Sequence, residues 1–465
     1  MTYRAVRSAG AVALTSLAVW LSPIAGAVTP PSVDDSRLPE PRPPAPPEAT
    51  EQRQQCLAST PAGAHDTTAS AGQLEDLDLP AVWRLGRGAG QTVAVIDTGV
   101  ARHRLLPHLV PGGDYVYTGD GTDDCDGHGT IVAGIIGAAE DSTGAAGFSG
   151  VAPDATIIGI RQSSVKFAPA GQSAPGFGDV DTLAMAVRTA ADMGASVINV
   201  SSIACVAAAA ALDDRALGAA LAYAVDVKNV VVVAAAGNVG GLGQCPDQNP
   251  PANPAHPGLP DWESVKVVVS PAWYDDYVLT VGSVDPRGAP SRFTLAGPWV
   301  DVAAPGEAVV SLDADGEGLV DTLPVLGDSM PIVGTSYAAP VVSGIAALVR
   351  ARAPHLSARQ VMQRIKDTAH RPPAGWDPFV GNGVVDALAA VSGDTSSTRK
   401  TVRDDMPHDE GVRLSPPVPE VSPDPSGRRI AFGGAGVCIA VAAAAVAMTA
   451  SLGRLRRRGD TVARD

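Results

Sequence analysis

One serine in this chain stands where a reactive hydroxyl could be exposed. Ser336 follows Gly334-Thr335 and precedes an alanine-rich apolar segment that runs to Val349. A helix that begins at or just before Ser336 would hold the hydroxyl at its N-terminus, on a tight turn for which Gly334 leaves room. Pro340 is compatible with the first turn of such a helix, where its missing N–H has no partner to lose. Ser336 is therefore either a helix cap, the commoner role there, or a nucleophile.

Three further polar residues stand at the ends of predicted elements. Asp97 ends an apolar run, Asn238 closes another, and His128 opens an apolar helix. Each type has an ordinary structural role, as a cap, a turn or a core histidine. A helix N-terminus disfavours imidazolium, so His128 is expected to be a neutral base. Because strand ends and helix starts converge on one crevice in an open α/β sheet, we expect Asp97, His128, Asn238 and Ser336 to lie together.

The elements that would position these residues alternate along the chain. Short apolar runs without charge are typical of strands buried on both faces of a parallel sheet. Helical patterns separate them, and Ser357 and Gln360 have the spacing of a capping box. The alternation predicts an α/β fold with a mainly parallel sheet. The predicted strands are 92–96, 156–160, 196–200, 230–236, 278–284 and 299–302, and the predicted helices are 131–139, 182–193, 212–227, one from Ser336, one from Ser357 and a last turn and short helix at 381–388.

Composition bounds the class of protein. The 465 residues suffice for one large domain with appendages or for two domains. The formal net charge of −15 argues against nucleic acid as a partner. The 50 glycines and 40 prolines fit an α/β core with long loops and unstructured ends.

Both ends of the chain carry apolar segments. Residues 1–27 resemble a signal peptide, with Arg4 and Arg7 before the apolar run and Ala25-Gly26-Ala27 as a cleavage site; an uncleaved anchor is the alternative. Residues 430–452 hold no charge and are long enough to span a bilayer, although a buried helix is the alternative. Four arginines follow at once, which predicts a cytoplasmic tail at 453–465. The chain is thus expected in the cell membrane, single-pass, with its bulk on the extracytoplasmic side.

Proline-rich stretches separate these segments from the globular part. Residues 28–73 form a Pro-rich N-terminal extension, and 392–429 form a Pro/Ser-rich linker. The domain between them is expected to span 74–391.

Five cysteines are present, and Cys438 lies in the predicted span. The other four, Cys56, Cys125, Cys205 and Cys245, are expected to be exported, so their even number predicts two disulfides with three possible pairings. No C-x-x-C spacing occurs, so no zinc site is expected.

Three longer motifs carry a family resemblance. Asp97-Thr98-Gly99, His128-Gly129-Thr130 with Val132-Ala133-Gly134, and Gly334-Thr335-Ser336-Tyr337-Ala338-Ala339-Pro340 resemble the catalytic motifs of the subtilisin-like serine proteases. Their order is the order of that family. Residues 150–153 and 381–387 are also similar, and the resemblance covers about 74–391. The full architecture and residues 157–162 further resemble the mycosins, the membrane-anchored proteases of type VII secretion systems.

This resemblance implies a fold, a mechanism and partners. The fold would be a subtilisin-like three-layer structure, with helices on both faces of a mainly parallel sheet, plus one C-terminal transmembrane helix. Asp97, His128 and Ser336 would form the triad, Asn238 would stabilise the oxyanion, and Ser201 would pair with substrate backbone. The sequence at 201–203 departs from the family's Ser-Leu-Gly, which puts the geometry of that pairing in doubt. No cofactor and no metal site are implied.

The expected function is endopeptidase cleavage of a secreted protein substrate, in association with the membrane subunits of a type VII secretion complex. The alternative is a structural subunit that stabilises or caps the complex, with proteolysis secondary and the loops 163–178 and 240–260 used for docking. A secreted scavenging protease is disfavoured by the predicted span.

The disulfide pairing follows as a hypothesis from predicted neighbours. Cys205 and Cys245 each follow a predicted strand, so they would pair if those strands are adjacent. Cys56 would then pair with Cys125 and tie the extension beside His128, so that it wraps the domain.

Overall fold

The computed structural model describes residues 28–57, 72–140, 148–173, 176–210, 212–241, 244–251, 253–325 and 328–393. The predicted signal peptide, most of the linker, the predicted span and the predicted tail lie outside these ranges. Within them, no helix combines the length and the apolar character that a bilayer crossing requires.

Fifteen strands and seven α-helices lie in the described ranges, with short 3₁₀ turns at Asp35–Arg37 and Gly72–Leu77. The strands are β1 (Thr50–Gln52), β2 (Thr92–Asp97), β3 (Leu109–Asp114), β4 (Thr156–Arg161), β5 (Phe167–Pro169), β6 (Val197–Val200), β7 (Ala204–Ala207), β8 (Val231–Ala235), β9 (Val267–Ser270), β10 (Leu279–Val284), β11 (Val300–Pro305), β12 (Ser311–Leu312), β13 (Leu319–Val320), β14 (Thr322–Val325) and β15 (Asp328–Pro331). The helices are α1 (Leu79–Trp83), α2 (His128–Gly137), α3 (Val180–Asp192), α4 (Arg215–Ala222), α5 (Thr335–Arg352), α6 (Ala358–Thr368) and α7 (Ala387–Ser392). A π turn, Tyr223–Val227, continues α4.

A seven-stranded sheet of order β11-β10-β8-β6-β2-β4-β3 forms the centre of the domain, and every neighbouring pair in it is parallel. Its inner strands β6 and β8 are buried at every residue, as their uncharged sequences require. Helices α2 and α5 pack together against the sheet, while α3 and α4 form a second packed pair. The predicted α/β fold with a mainly parallel sheet is confirmed.

Strand β3 was not predicted, because Pro111-Gly112-Gly113 in its middle disfavours a strand. It lies at the sheet edge beside β4, where a proline loses no hydrogen bond on its open side, and its register with β4 shifts between Pro111 and Asp114. The antiparallel pairs β7-β9, β12-β13 and β14-β15 were also missed, since they contain only two to four residues per strand.

Helix α5 begins at Thr335, so Pro340 lies in its second turn and not in its first. The expectation for Pro340 was wrong by about one turn. A proline there removes the N–H that would bond to the carbonyl of Ser336, four residues earlier. Another donor supplies that bond, as described below.

The N-terminal extension lies along the domain. Strand β1 pairs antiparallel with β5. Arg188 of α3 donates from Nη1 to the Pro39 carbonyl at 3.0 Å. The structure contains disulfides Cys56–Cys125 and Cys205–Cys245. Strands β6 and β8, on which the second pairing was argued, are indeed neighbours.

Candidate active site

Asp97 and His128 meet at the carboxyl end of β2. Asp97 is fully buried, and its Oδ1 lies 2.7 Å from His128 Nδ1. The same oxygen accepts from the backbone N–H of Thr98 at 2.8 Å. Helix α2 can approach the strand this closely because a Cβ on Gly129 would stand 2.0 Å from the Gly99 carbonyl oxygen and 3.0 Å from Asp97 Cβ. The carboxylate therefore holds the Nδ1 side of the imidazole, and Nε2 has no hydrogen-bond partner among the described residues at the cleft that His128 lines.

Asp124 is a site residue that the sequence reasoning missed. Its Oδ2 accepts from the N–H and the hydroxyl of Thr130, at 2.8 and 2.7 Å. Its Oδ1 accepts from Gly127 N–H and from Thr98 Oγ1, both at 2.8 Å. One carboxylate thus satisfies donors at the start of α2 and ties that helix to the end of β2. The sequence feature that could have predicted this role is the position of Asp124 shortly before the Gly-His-Gly-Thr start of the helix.

The pKa of His128 differs in sign from the sequence expectation. Burial lowers it, but the negative charges of Asp97, Asp124 and Asp126 and the hydrogen bond to Asp97 outweigh burial, so the pKa lies above its ordinary value of 6.5. The expected preference for the neutral ring was based on the helix N-terminus alone. Three nearby carboxylates are a stronger influence than that partial charge.

Ser336 lies in the first turn of α5 and is half-buried. Its hydroxyl donates to the Ser201 carbonyl at 3.3 Å. In return, Ser201 Oγ donates to the Ser336 carbonyl at 2.8 Å, which replaces the bond that Pro340 cannot make. The structure therefore places Ser201 directly against Ser336.

A buried polar chain holds this pair of serines. Asn199 is fully buried on β6, and its Nδ2 donates to Ser201 Oγ at 2.9 Å. Asn199 Oδ1 accepts from Ser343 Oγ on α5 at 2.8 Å. The chain links the central sheet to two turns of α5. The sequence reasoning did not identify Asn199 or Ser343, because only the fold brings them together.

Asn238 lies on the other side of the α5 start. Its Oδ1 accepts from the N–H and the hydroxyl of Thr335, each at 3.0 Å. This bonding turns the Nδ2 donor group toward Gly334, where a Cβ would lie 3.4 Å from it. Gly334 has φ 157° and ψ 155°, which L side chains rarely adopt, so the predicted need for glycine there is met. Thr335, also missed, orients the amide.

The start of α5 and the start of α2 face each other. The rings of His128 and Tyr337 are 5.2 Å apart between centroids. A cleft of about 690 Å³ opens beside His128, and 27% of the His128 side chain is exposed. The lining includes Leu57, Thr98, His128, Phe177, Ser201 and Ile203. His128 and Ser201 line this cleft, and direct contacts join Asp97 to His128, Ser336 to Ser201, and Asn238 to Thr335 beside Ser336.

The loop 163–178, suggested for docking, packs against the N-terminal extension. It contains β5, which pairs with β1 of the extension, and its two ends line the cleft. Among the residues that the structure describes, no group of three or more His, Cys, Asp or Glu side chains is arranged to hold a metal ion.

Comparison with known proteins agrees with this geometry. The profile of the subtilase family matches residues 88–383. Mycosin-4 of Mycobacterium tuberculosis (strain ATCC 25618 / H37Rv) is 60% identical over 464 residues, covering 98% of this chain and 97% of the relative. Mycosin-1 of the same organism is 43% identical, covering 95% of this chain and 97% of the relative.

Solved structures agree as well. MycP3 protease from the type VII (ESX-3) secretion system has a TM-score of 0.72 at 45% identity, covering 78% of this chain and 99% of that chain. The periplasmic assembly from the ESX-5 inner membrane complex includes a chain with a TM-score of 0.74 at 41% identity, covering 86% of this chain and 100% of that chain. This chain therefore belongs to the subtilase family and is a serine-type endopeptidase. Within that family it is a mycosin.

Proposed function

We propose that this mycosin cleaves a secreted protein through Asp97, His128 and Ser336. The observation that carries the proposal is the 2.7 Å contact between Asp97 Oδ1 and His128 Nδ1, next to a cleft that is lined by His128 and by Ser201, the hydrogen-bond partner of Ser336. Asp97 holds the ring in the tautomer that carries its proton on Nδ1. His128 Nε2 then accepts the proton of Ser336 as the hydroxyl attacks a peptide carbonyl, and it later passes this proton to the leaving amine.

Charge on the carbonyl oxygen would be stabilised by two donors. One is the Nδ2 group of Asn238, which Thr335 orients, and the other is the backbone N–H of Ser336 at the helix start. Ser201 would pair with the substrate backbone through its carbonyl, which accepts the Ser336 hydroxyl in the resting structure. Substrate binding would release that hydroxyl to His128.

The deciding experiment compares Ser336→Ala with the parent chain. The parent should be labelled by a fluorophosphonate probe and should hydrolyse peptides, while Ser336→Ala should do neither and should keep the parent's melting temperature. Ser36→Ala, an exposed serine on the 3₁₀ turn of the extension, is the matched control and should behave as the parent. Peptide hydrolysis by Ser336→Ala at the parent rate would rule out the proposed nucleophile.

We also propose an envelope arrangement from the sequence. It comprises a signal peptide at 1–27, the extension at 28–73, the peptidase domain at 74–391, a linker at 392–429, a span at 430–452 and a cytoplasmic tail at 453–465. Supporting this, the solved ESX-5 relative is part of a periplasmic assembly from an inner membrane complex. Protease protection of the tail in intact cells, with cleavage of the domain, would test the orientation.

A second candidate function is a structural subunit of a type VII secretion complex. It is favoured by the ESX-5 periplasmic assembly, which contains a relative of this chain, and by a second solved relative in an intact ESX-5 inner membrane complex at 40% identity. Secretion should be compared in a deletion strain and in a Ser336→Ala strain. If only the deletion blocks secretion, assembly is the main role; if both block it, proteolysis is.

A further inference from the structure

Among the described residues of the N-terminal extension, 28–57 and 72–73, Leu57 lines the cleft. It lines the same 690 Å³ space as His128 and Thr98. Its backbone N–H donates to the Cys125 carbonyl at 2.8 Å, and the adjacent Cys56 is bonded to Cys125. The extension is thus fastened to the domain by a covalent and a backbone bond immediately before the start of α2. A residue far from the catalytic motifs in sequence therefore forms part of the wall beside the imidazole.

The far side of Leu57 is packed. Leu57, Gly127, Ile131, Leu323 and Pro324 surround a residual space of only about 10 Å³. A Cβ on Gly127 would lie 3.0 Å from Leu57 Cδ2, so the leucine fills the room that this glycine leaves. Leu57 is therefore held between the start of α2 and strand β14, and it cannot move away from the cleft without opening a gap.

The rest of this part of the cleft is mainly apolar. Leu323 and Pro324 continue the wall of Leu57, and Phe177, Val180, Leu183 and Ile203 also line the space.

The charged residues of the lining already have partners within the protein. Asp126 accepts from Ser164 Oγ and from Val165 N–H. Asp179 caps α3 through Thr182 N–H at 2.8 Å. Lys166 Nζ donates to Gln54 of the extension at 3.5 Å. These partners are neutral groups and do not cancel the charges. An apolar substrate side chain would gain contact with the apolar residues of the lining.

We propose that Leu57 of the N-terminal extension is a specificity-determining residue, which contacts an apolar substrate side chain bound in the cleft beside His128. This inference rests on the proposed function. The extension then acts as a part of the substrate site that is supplied by the same chain and held by the Cys56–Cys125 bond.

The experiment uses quenched-fluorescence peptides in which each position from four before to two after the cleavage site is Leu, Ala, Lys or Asp. The parent chain should prefer Leu at one position. Leu57→Ala should lower kcat/KM for that Leu peptide about tenfold and leave the Ala peptide within about twofold, since lost apolar contacts in a pocket typically change rates tenfold or more. Leu57→Lys should shift the preference toward Asp at the same position. An unchanged preference profile in both variants would overturn the proposal.

Matched controls separate this result from misfolding. Leu388→Ala removes an exposed leucine on α7, outside the cleft, and should keep the parent profile. The Cys56→Ser, Cys125→Ser double variant releases Leu57 and should lose the Leu preference as Leu57→Ala does. Melting temperatures and peptide mapping of Cys205–Cys245 verify the fold of each variant.

A binding measurement keeps the two proposals distinguishable. Fluorescence anisotropy of the whole peptide series on Ser336→Ala reports binding without turnover and identifies the Leu peptide that binds most tightly. Leu57→Ala in that background should raise the Kd of this peptide about tenfold. If the parent neither reacts with fluorophosphonate nor cleaves peptides, the proposed catalytic function fails, while the binding result still decides the role of Leu57. If the parent is active but Kd is unchanged, the specificity proposal alone fails.

Discussion

Two buried carboxylates lie at opposite ends of the strands of the central sheet. Each contacts a basic side chain, but one contact belongs to the candidate active site and the other stabilises the fold. Asp97 ends β2 and contacts His128 at 2.7 Å, whereas Asp301 lies near the start of β11, is 6% exposed and contacts Lys366 of α6 at 3.1 Å. The second oxygen of Asp301 accepts from Thr280 N–H at 2.9 Å. A buried carboxylate supports chemistry where its partner is an imidazole that can take up and release a proton at a cleft. Beside a lysine whose pKa is raised by the same carboxylate, it supports only the fold.

The largest expected effect is on catalysis at the Asp97 end. Asp97→Asn should lower kcat for peptide hydrolysis by about 10⁴, because the amide favours the wrong tautomer of His128 and no longer stabilises its charged form. The rising limb of kcat/KM against pH, which in the parent should lie above pH 6.5, should move to lower pH because the pKa of His128 loses its main raising charge. Stopped assays across pH 5 to 9 measure both. A loss below tenfold would remove Asp97 from the mechanism.

At the other end, the same kind of change should affect stability. Lys366→Met leaves Asp301 buried without its counter-charge and should lower the free energy of unfolding by about 3–5 kcal/mol. Urea unfolding of the parent and of Lys366→Met measures the difference in the free energy of unfolding. Once folded, the variant should keep the parent kcat. A selective loss of kcat with full stability would mean that the two ends of the sheet are coupled.

The sequence predicted the parts of this molecule in which local pattern and tertiary role coincide. The apolar runs that became β2, β4, β6 and β8 carry no charge because both faces are covered, so composition alone located them. Asp97, His128, Asn238 and Ser336 were singled out because they stand at the ends of strands and the starts of helices, which local sequence patterns mark.

Other features depended on contacts between distant residues. The role of Pro340 followed from where α5 begins, and the bond that replaces its N–H comes from Ser201 on another element. Asp124, Asn199 and the Asp301–Lys366 pair are ordinary residues until the fold joins them to their partners. The sign of the His128 pKa shift also required the placement of three carboxylates, which the helix N-terminus alone did not predict.

The smallest expected effect concerns Asp275, which lies beside the Asp301–Lys366 pair. Burial and the negative charge of Asp301 raise the pKa of Asp275 to about 7, from an ordinary 3.8. The folded state therefore binds this proton more tightly than the unfolded state does. Its stabilising contribution is complete below about pH 4 and is lost as the pH rises through 7.

Asp275→Asn should remove the loss of stability that the ionisation of Asp275 causes as the pH rises. Between pH 4 and 7 the parent's free energy of unfolding should fall with rising pH relative to that of the variant, by at most about 1.4 kcal/mol per pH unit. Urea titrations at pH 4, 5, 6 and 7 measure the two slopes, and Asp35→Asn, at an exposed aspartate of the N-terminal extension, is the control. Parallel slopes in parent and Asp275→Asn would show that Asp275 is ionised in the fold, and the difference between the two ends of the sheet would then lie in Lys366 alone.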